Sequence, residues 1–466
     1  MSELFAAPTR ADWTAKVAKS LRGRSPDTLV RTDADGLTIA PLYSATDGVM
    51  SLSVPRSADA DGRAWDLRTL IEGDAPESVN AAVLDDLEGG AASVILSGNI
   101  LSDSDLLVLA LDGVTLELAA VGLDAGLDGP VAADALAVVG KGSPRAKLRF
   151  HMDPVSTFAA AGAAPRPIDE HLTLAANTAA RHAGAYPEAS FFLASGRAVH
   201  EAGGSAGQEL GFAAASALAS LKAGVAAGLS LEQAARGTVL GVSVDAEYFD
   251  ALARVRALRL IWGSLVKALG LNVPATIEAR SSRRMLSARD PWPNLLRLTA
   301  AGFAGAVGGA DAVVLDGFSR AAGRPDAFAR RLARNTQLVL MEEAHLGRVD
   351  DPAAGSWFLD ARTRDLAEAG WAEFQRIEGE GGVIAALKGG TIQARVATAR
   401  VLREADLAEG RVQLIGVTKF VNAETRAAPV EVEPEATVTG GGDTCVPLTP
   451  VRFAAPFETA LAEAAR

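Results

Sequence analysis

The chain has 466 residues, a formal net charge of −12, 49% hydrophobic residues and a single cysteine. That apolar share argues against disorder, and the acidic balance without a Lys/Arg run argues against nucleic acid as a partner. No uncharged stretch reaches the roughly 18 residues of a membrane span, and Cys445 alone makes neither a disulfide nor a Cys-rich metal site. The opening MSELFAAPTRADW lacks a basic-then-apolar export signal, so a cytoplasmic chain is expected.

Residues 1–50 read as an N-terminal arm, helical and then extended. Trp13, Val17 and Leu21 fall at helical spacing, predicting an amphipathic helix over 11–21 that Gly23 ends. The segment 37–43, LTIAPLY, is extended, and Pro41 makes it an edge or clasp. The arm is expected to contact a partner chain.

Across 51–425 short apolar runs alternate with helical stretches. Strands are predicted at 92–96, 115–119, 147–151, 189–194, 239–244, 275–279 and 312–315, with 135–139 as an eighth that could equally be helix. Phe249, Leu252, Val255, Trp262, Val266 and Leu269 mark one face of a long helix, and 333–346 reads as another. Seven or eight such repeats predict an α/β fold, a closed (β/α)₈ TIM-type barrel. Residues 426–466 are rich in Pro, Gly, Thr and Glu and read as an extended tail, with a short helix over 457–464.

No phosphate loop, GxGxxG, GxSxG or HExxH motif occurs. His151, His171, His182, His200 and His345 are too scattered to form a readable metal site, so each reads as an ordinary core or surface residue. Asp350-Asp351-Pro352 reads as a turn completed by Gly355, Glu342-Glu343 as an exposed helix face, and Cys445 as incidental.

Several segments carry a resemblance. RNTQLVLMEEAHLGRVDDPAAGSWFLD (334–360), HEAGGSAGQEL (200–210), FDALARVRALRLIW (249–262, with Arg256 and Arg259), DPWPNLLR (290–297), IGVTKF (415–420) and RAWDLR (63–68) lie in the order found in methylmalonyl-CoA mutases. The arm, with ADGLTIAPLY, is similar too. The chain therefore resembles that family along nearly its whole length. The resemblance implies a barrel enclosing a coenzyme A thioester along its axis, capped by a separate adenosylcobalamin domain, with the cofactor supplying the radical chemistry.

The departures are as informative. Where the family has Tyr and His before EAG, this sequence has Arg197 and Ala198. The family's loop Gln becomes Arg280, and its Thr and Tyr near RPW become Asp66 and Leu70; Arg63 and Arg68 remain as possible residual anion or coenzyme A contacts. Alanine has no proton to give, and an arginine guanidinium is a poor proton donor near neutrality. Asp169-Glu170-His171 begins the family's cobalt-ligating DxHxxG, but position 174 is Leu, so it reads as a chance match. No cobalamin domain is expected in 426–466, which resembles the stretch before one.

The pattern resembles the small, non-catalytic subunit of heterodimeric members of the family, whose catalytic large subunit holds the adenosylcobalamin. The alternative is the acyl-CoA-binding barrel of a split mutase with cobalamin on a separate protein. Arg63, Arg197 and Arg280 are expected to meet near one barrel mouth. With Asp66 and Glu278 as partners they would form an ion-pair network plugging a former pocket; a residual anion site is the rival reading.

Overall fold

A computed structural model describes residues 8–56, 62–422, 424–431 and 441–464, the side chains of 462–464 excepted. The arm begins with α1 (Arg10–Ser20), started by a Thr9 capping box with Asp12. Two short antiparallel strands follow, β1 (Arg31–Thr32) and β2 (Thr38–Ile39). No residue of α1 is buried, and Trp13, Val17 and Leu21 are only partly covered. The rest of the arm and the residues just after it are fastened to this chain's own barrel. Asp35 accepts from the Gly207 N–H, the Leu52 N–H donates to Asp360, the Val54 N–H donates to Asp351, and Arg56 donates to the Ala306 and Ala310 carbonyls.

The barrel then winds in strand–helix units. In order come β3 (Asp66–Glu72), α2 (Pro76–Glu88), β4 (Ser93–Ser97), α3 (Ser104–Ala110), β5 (Ala120–Leu123), α4 (Gly129–Val139), β6 (Leu148–Met152), α5 (Pro154–Ala161) and α6 (Ile168–His182). They are followed by β7 (Ser190–Ser195), α7 (Arg197–Glu201), α8 (Ala206–Ala226), α9 (Leu231–Arg236), β8 (Thr238–Val244), α10 (Tyr248–Ala268), β9 (Ile277–Ser281), α11 (Asn294–Val307) and β10 (Ala312–Val314). The eight strands β3 to β10 are parallel and close, β10 pairing with both β9 and β3.

A minor strand β11 (Arg324–Pro325) leads to α12 (Ala327–Leu338), α13 (Trp357–Gly379), α14 (Val383–Lys388) and α15 (Thr391–Ala408). Strand β12 (Val430–Glu431) pairs back on β11, and α16 (Ala455–Ala464) ends the described chain.

Helix α13 lies across α8 and α10, and buried charges pin it there. Arg256 of α10 donates to Asp360, Asp351 and Thr363, while Arg362 pairs with Asp33 and Asp250. Arg259 reaches Asp311 and the Ala275 and Gly309 carbonyls. The turn at Asp350–Pro352 is present, with Asp351 at positive φ, and it also places the Asp351 carboxylate against Arg256.

Four expectations change. The eighth strand is Asp66–Glu72, not 135–139, which is the end of α4; Gly129 and Pro130 start a helix there and it continues to Val139. The 115–119 stretch is turn, and its strand begins at Ala120. Phe249 is 55% exposed rather than on the buried face of α10. The helix expected over 333–346 is α12 running into a π-helical turn at Val339–Glu343.

The tail is not a free linker where it is described. Residues 432–440 lie outside the described residues, but Thr444 bridges Ala163, Leu448 is buried, and the Val451 N–H donates to the Glu201 carbonyl. Phe453 then sits between the Arg284 and Arg403 guanidiniums, 5.6 and 5.3 Å from its ring centre.

Candidate functional site

A parallel barrel puts every strand start at one mouth and every strand end at the other. Catalytic groups on such barrels collect at the strand ends. The interior charges come from three strands with an acid or base at every second residue, the spacing that keeps side chains on one face. Strand β3 contributes Asp66 and Arg68, β9 contributes Glu278 and Arg280, and β6 contributes Arg149 and His151.

These side chains cross the barrel axis. Arg68 Nη1 lies 2.5 Å from Glu278 Oε2, its Nε donates to Ser93 Oγ at 2.8 Å, and Nη2 pairs with Asp66. Arg280 Nε donates to Glu278 Oε1 at 2.6 Å, and its Nη1 to Asp124 Oδ2 at 2.7 Å. One carboxylate thus joins two arginines from opposite sides of the β9–β10–β3 ladder. Glu278 is 1% exposed and both arginines 5%.

Burial disfavours the Glu278 charge, but Arg280 and Arg68 hold its carboxyl well below the ordinary carboxylate range. Burial likewise opposes the Arg280 charge, and Glu278 and Asp124 more than restore it. His151 completes the layer, its Nε2 4.0 Å from Glu278. Burial pushes its pKa down to about 3, so the ring is neutral. His151 also adopts positive φ, beside a register shift between Arg149 and Met152. Gly122 gives it room, since a Cβ there would sit 3.4 Å from the imidazole.

At the strand-start mouth the barrel opens into a hollow of about 980 Å³. Arg56, Arg63, Asp66, Arg68, Arg149 and Glu278 are among its lining residues. Arg280, Asp124, Arg197 and Ala198 are not, so the hollow ends at the Arg68–Glu278 layer. The axis is filled by ion pairs at that depth.

The structure separates the three arginines expected together. Arg63 precedes β3 and belongs to the strand-start mouth, where it is exposed and donates to the Gly90 carbonyl. Arg197 and Ala198 follow β7 and belong to the other end. Only Arg280, in the last turn of strand before that end, lies in the charged layer. Arg68, expected as an anion contact, has all three guanidinium nitrogens engaged by this chain. Leu70 shares the strand face of Asp66 and Arg68 and is half-buried.

At the strand-end mouth, burial lowers the Arg197 pKa to about 10, with Arg280 adding repulsion. Arg283 pairs with Asp316, and Arg320 pairs with Asp316 and Glu72. Asp153, which caps α5 through Ser156, is pushed up to about 7 by burial.

Behind this mouth lies a second buried network that composition and motif spacing do not disclose. His200 bonds Glu209 through Nδ1 at 3.0 Å and Ser282 through Nε2 at 2.8 Å, and Arg254 and Arg284 meet Asp245. Burial opposes the Glu209 charge, but His200 and Arg254 bring its pKa down to about 2. Here His200 holds elements together. No group of three His, Cys, Asp or Glu suited to a metal ion occurs among the described residues.

The hub role of Glu278 was open to sequence reasoning. DLR and EAR each place an acid two residues before an arginine, which at strand period puts both charges on one face. Asp124 and His151 gave no comparable signal.

The family model for methylmalonyl-CoA mutase matches residues 98–440. A methylmalonyl-CoA mutase small subunit from Streptomyces virginiae is 36% identical over 446 residues, covering 92% of this chain and 71% of that protein. One from Propionibacterium freudenreichii subsp. shermanii is 30% identical, covering 93% of this chain and 72% of its own. A methylmalonyl-CoA mutase from Cereibacter sphaeroides is 26% identical, covering 90% of this chain and 65% of that protein.

Proposed function

We propose, from the premise that this chain belongs to the methylmalonyl-CoA mutase family, that it is the non-catalytic small subunit of a heterodimeric adenosylcobalamin-dependent mutase. A catalytic large subunit performs the isomerisation of methylmalonyl-CoA to succinyl-CoA, and this chain stabilises it. The observation that carries the reading is the Arg68–Glu278–Arg280 layer. A thioester threaded along the axis would have to displace a carboxylate bonded to two buried guanidiniums.

The reactive end of such a thioester would find no useful chemistry. Arg197 and Ala198 stand where the family resemblance implies a tyrosine and a histidine, and neither can transfer a proton near neutral pH. The described residues do not fit cobalamin either. His171, in the only DxH triplet, lies inside α6 and is 6% exposed, so its ring is not presented to a corrin. In this reading cobalamin is held by the large subunit, and this chain contributes no step to the reaction.

The test is an assay with adenosylcobalamin and methylmalonyl-CoA. This chain alone, or with a free cobalamin domain, should give no turnover, and the large subunit should be more heat-stable with it than without. Turnover by this chain with only a cobalamin domain would establish the split-mutase alternative instead.

A further inference from the structure

Charge is distributed very unevenly along this sequence. Residues 69–140 hold thirteen Asp and Glu and no Lys, Arg or His, a net −13; against −12 for the whole chain, the remaining residues sum to +1. This segment is one continuous flank of the barrel, β3 through α4. Part of its charge is answered by arginines from elsewhere. Arg320 pairs with Glu72, Arg334 with Asp85 and Asp86, Arg280 with Asp124, and Arg181 with Asp134. On α3 and the loop after it, Asp105 and Asp112 are exposed.

The same flank exposes large apolar side chains. Val108 and Leu109 of α3 are 48% and 51% exposed, Leu118 is 77%, and Val131 and Val138 of α4 are 52% and 55%. Helix α3 packs on α4. Beside Val108 lies a hollow of about 490 Å³ whose lining also includes Leu111, Val114, Val139, Asp112 and Glu117. Exposed apolar groups rimmed by polar side chains mark a site of protein association.

We infer that this flank docks the large subunit, through a surface with apolar side chains at its centre and Lys and Arg around it. The inference rests on the heteromeric reading above and specifies where the partner sits. The charge excludes the other occupants. Nucleic acid and anionic bilayers are disfavoured by the acidic excess of this surface, which exposed Lys141 and Arg145 border after α4. A second copy related by a two-fold axis would set the same acids against themselves. A basic, differently sequenced chain is attracted, and the apolar hollow receives its side chains.

The flank also lies across the barrel from the arm. The β4–β5 side faces the β8–β9 side in the strand order, and the arm is fastened over α8, α10 and α13. The arm and the flank are therefore rival places for the large subunit.

The test uses the full chain and the large subunit. Heteromer affinity is measured by sedimentation for the wild type, for D105K/D112K, for Leu109→Glu, for a chain lacking residues 8–24, and for Glu342→Lys as an exposed control. Thermal melts of each chain alone confirm folding. The expected result is a Kd raised about tenfold or more by D105K/D112K and by Leu109→Glu, with Glu342→Lys unchanged. Hydrogen-exchange protection over 104–118 should appear when the large subunit is added.

If wild-type chains pair and both flank variants pair equally well, the flank is not the interface and the inference is overturned. Loss of pairing only on deleting 8–24 overturns it in favour of the arm. Self-association of this chain that D105K/D112K abolishes overturns it in favour of a second copy. If wild-type chains do not pair at all, the functional reading itself fails.

Discussion

The barrel axis and the α3–α4 flank treat charge in opposite ways. On the axis every guanidinium nitrogen of Arg68 is engaged, and Glu278 answers two arginines at once. On the flank, Asp105 and Asp112 face water beside exposed Val108 and Leu109. Arg68 keeps no nitrogen free for a ligand, while beside it Arg280 Nη2 and both His151 ring nitrogens are buried without a hydrogen-bond partner. An open set of one sign, around apolar groups, asks for a complementary surface. On the reading proposed above, this contrast puts the chain's interactions on its outside.

The largest effect should come from opening the axial set. Glu278→Ala leaves Arg68 and Arg280 buried without their shared carboxylate, and removing one partner of a buried pair costs about 3–5 kcal/mol. Chemical denaturation should show that loss; a change under 1 kcal/mol would mean water has entered the axis and the layer is not closed.

The second test is pH. His151 is neutral when folded, its pKa lowered from 6.5 to about 3. An unfolded chain takes up that proton on acidification and the folded one does not. The contribution is therefore fully present above about pH 6.5 and is lost as pH falls towards 3. Asp153 has the opposite sign. Its pKa is raised from 3.8 to about 7, so its contribution is present below 3.8 and is lost as pH rises to 7. His151→Phe should flatten the acid limb of a stability–pH profile, and Asp153→Asn the limb between 4 and 7. Unaltered limbs would show that these side chains are solvated.

On the flank the same kind of change should barely move stability. D105K/D112K alters exposed side chains away from the core, and its melting free energy should stay within about 0.5 kcal/mol per site. A larger loss would mean the flank supports the fold rather than a partner.

The smallest effect is expected at Cys445, whose thiol burial pushes up to about 11. Its alkylation at pH 8 should run slower than that of a free thiol, and Cys445→Ser should leave assembly unchanged.

The sequence made the barrel legible where its strands are apolar. The runs at 189–194, 239–244 and 312–315 became β7, β8 and β10 within two residues. It hid β3, because Asp66, Arg68 and Glu72 alternate through that strand and point into the barrel instead of water. A charged interior face removes the apolar signature that strand reading relies on. The small apolar run at 135–139 stayed open between strand and helix for the converse reason, since alanine and valine serve both, and it is helix.

The charged layer was half legible. Arg280 and Glu278 are two residues apart, but Glu278 reaches Arg68 across 210 positions, a contact only the closed barrel makes. Arg63 and Arg197, expected at one mouth, border opposite ones. Order along the chain does not say which mouth a residue borders.

The hub geometry of Glu278 makes the three charges of the layer unequal in what their loss would cost. Replacing Glu278 takes the shared carboxylate from both guanidiniums and leaves them only Asp66 and Asp124, whereas replacing Arg68 or Arg280 leaves Glu278 paired with the other arginine. Clearing the axis from Glu278 outward therefore weakens the fold more than clearing it from either arginine.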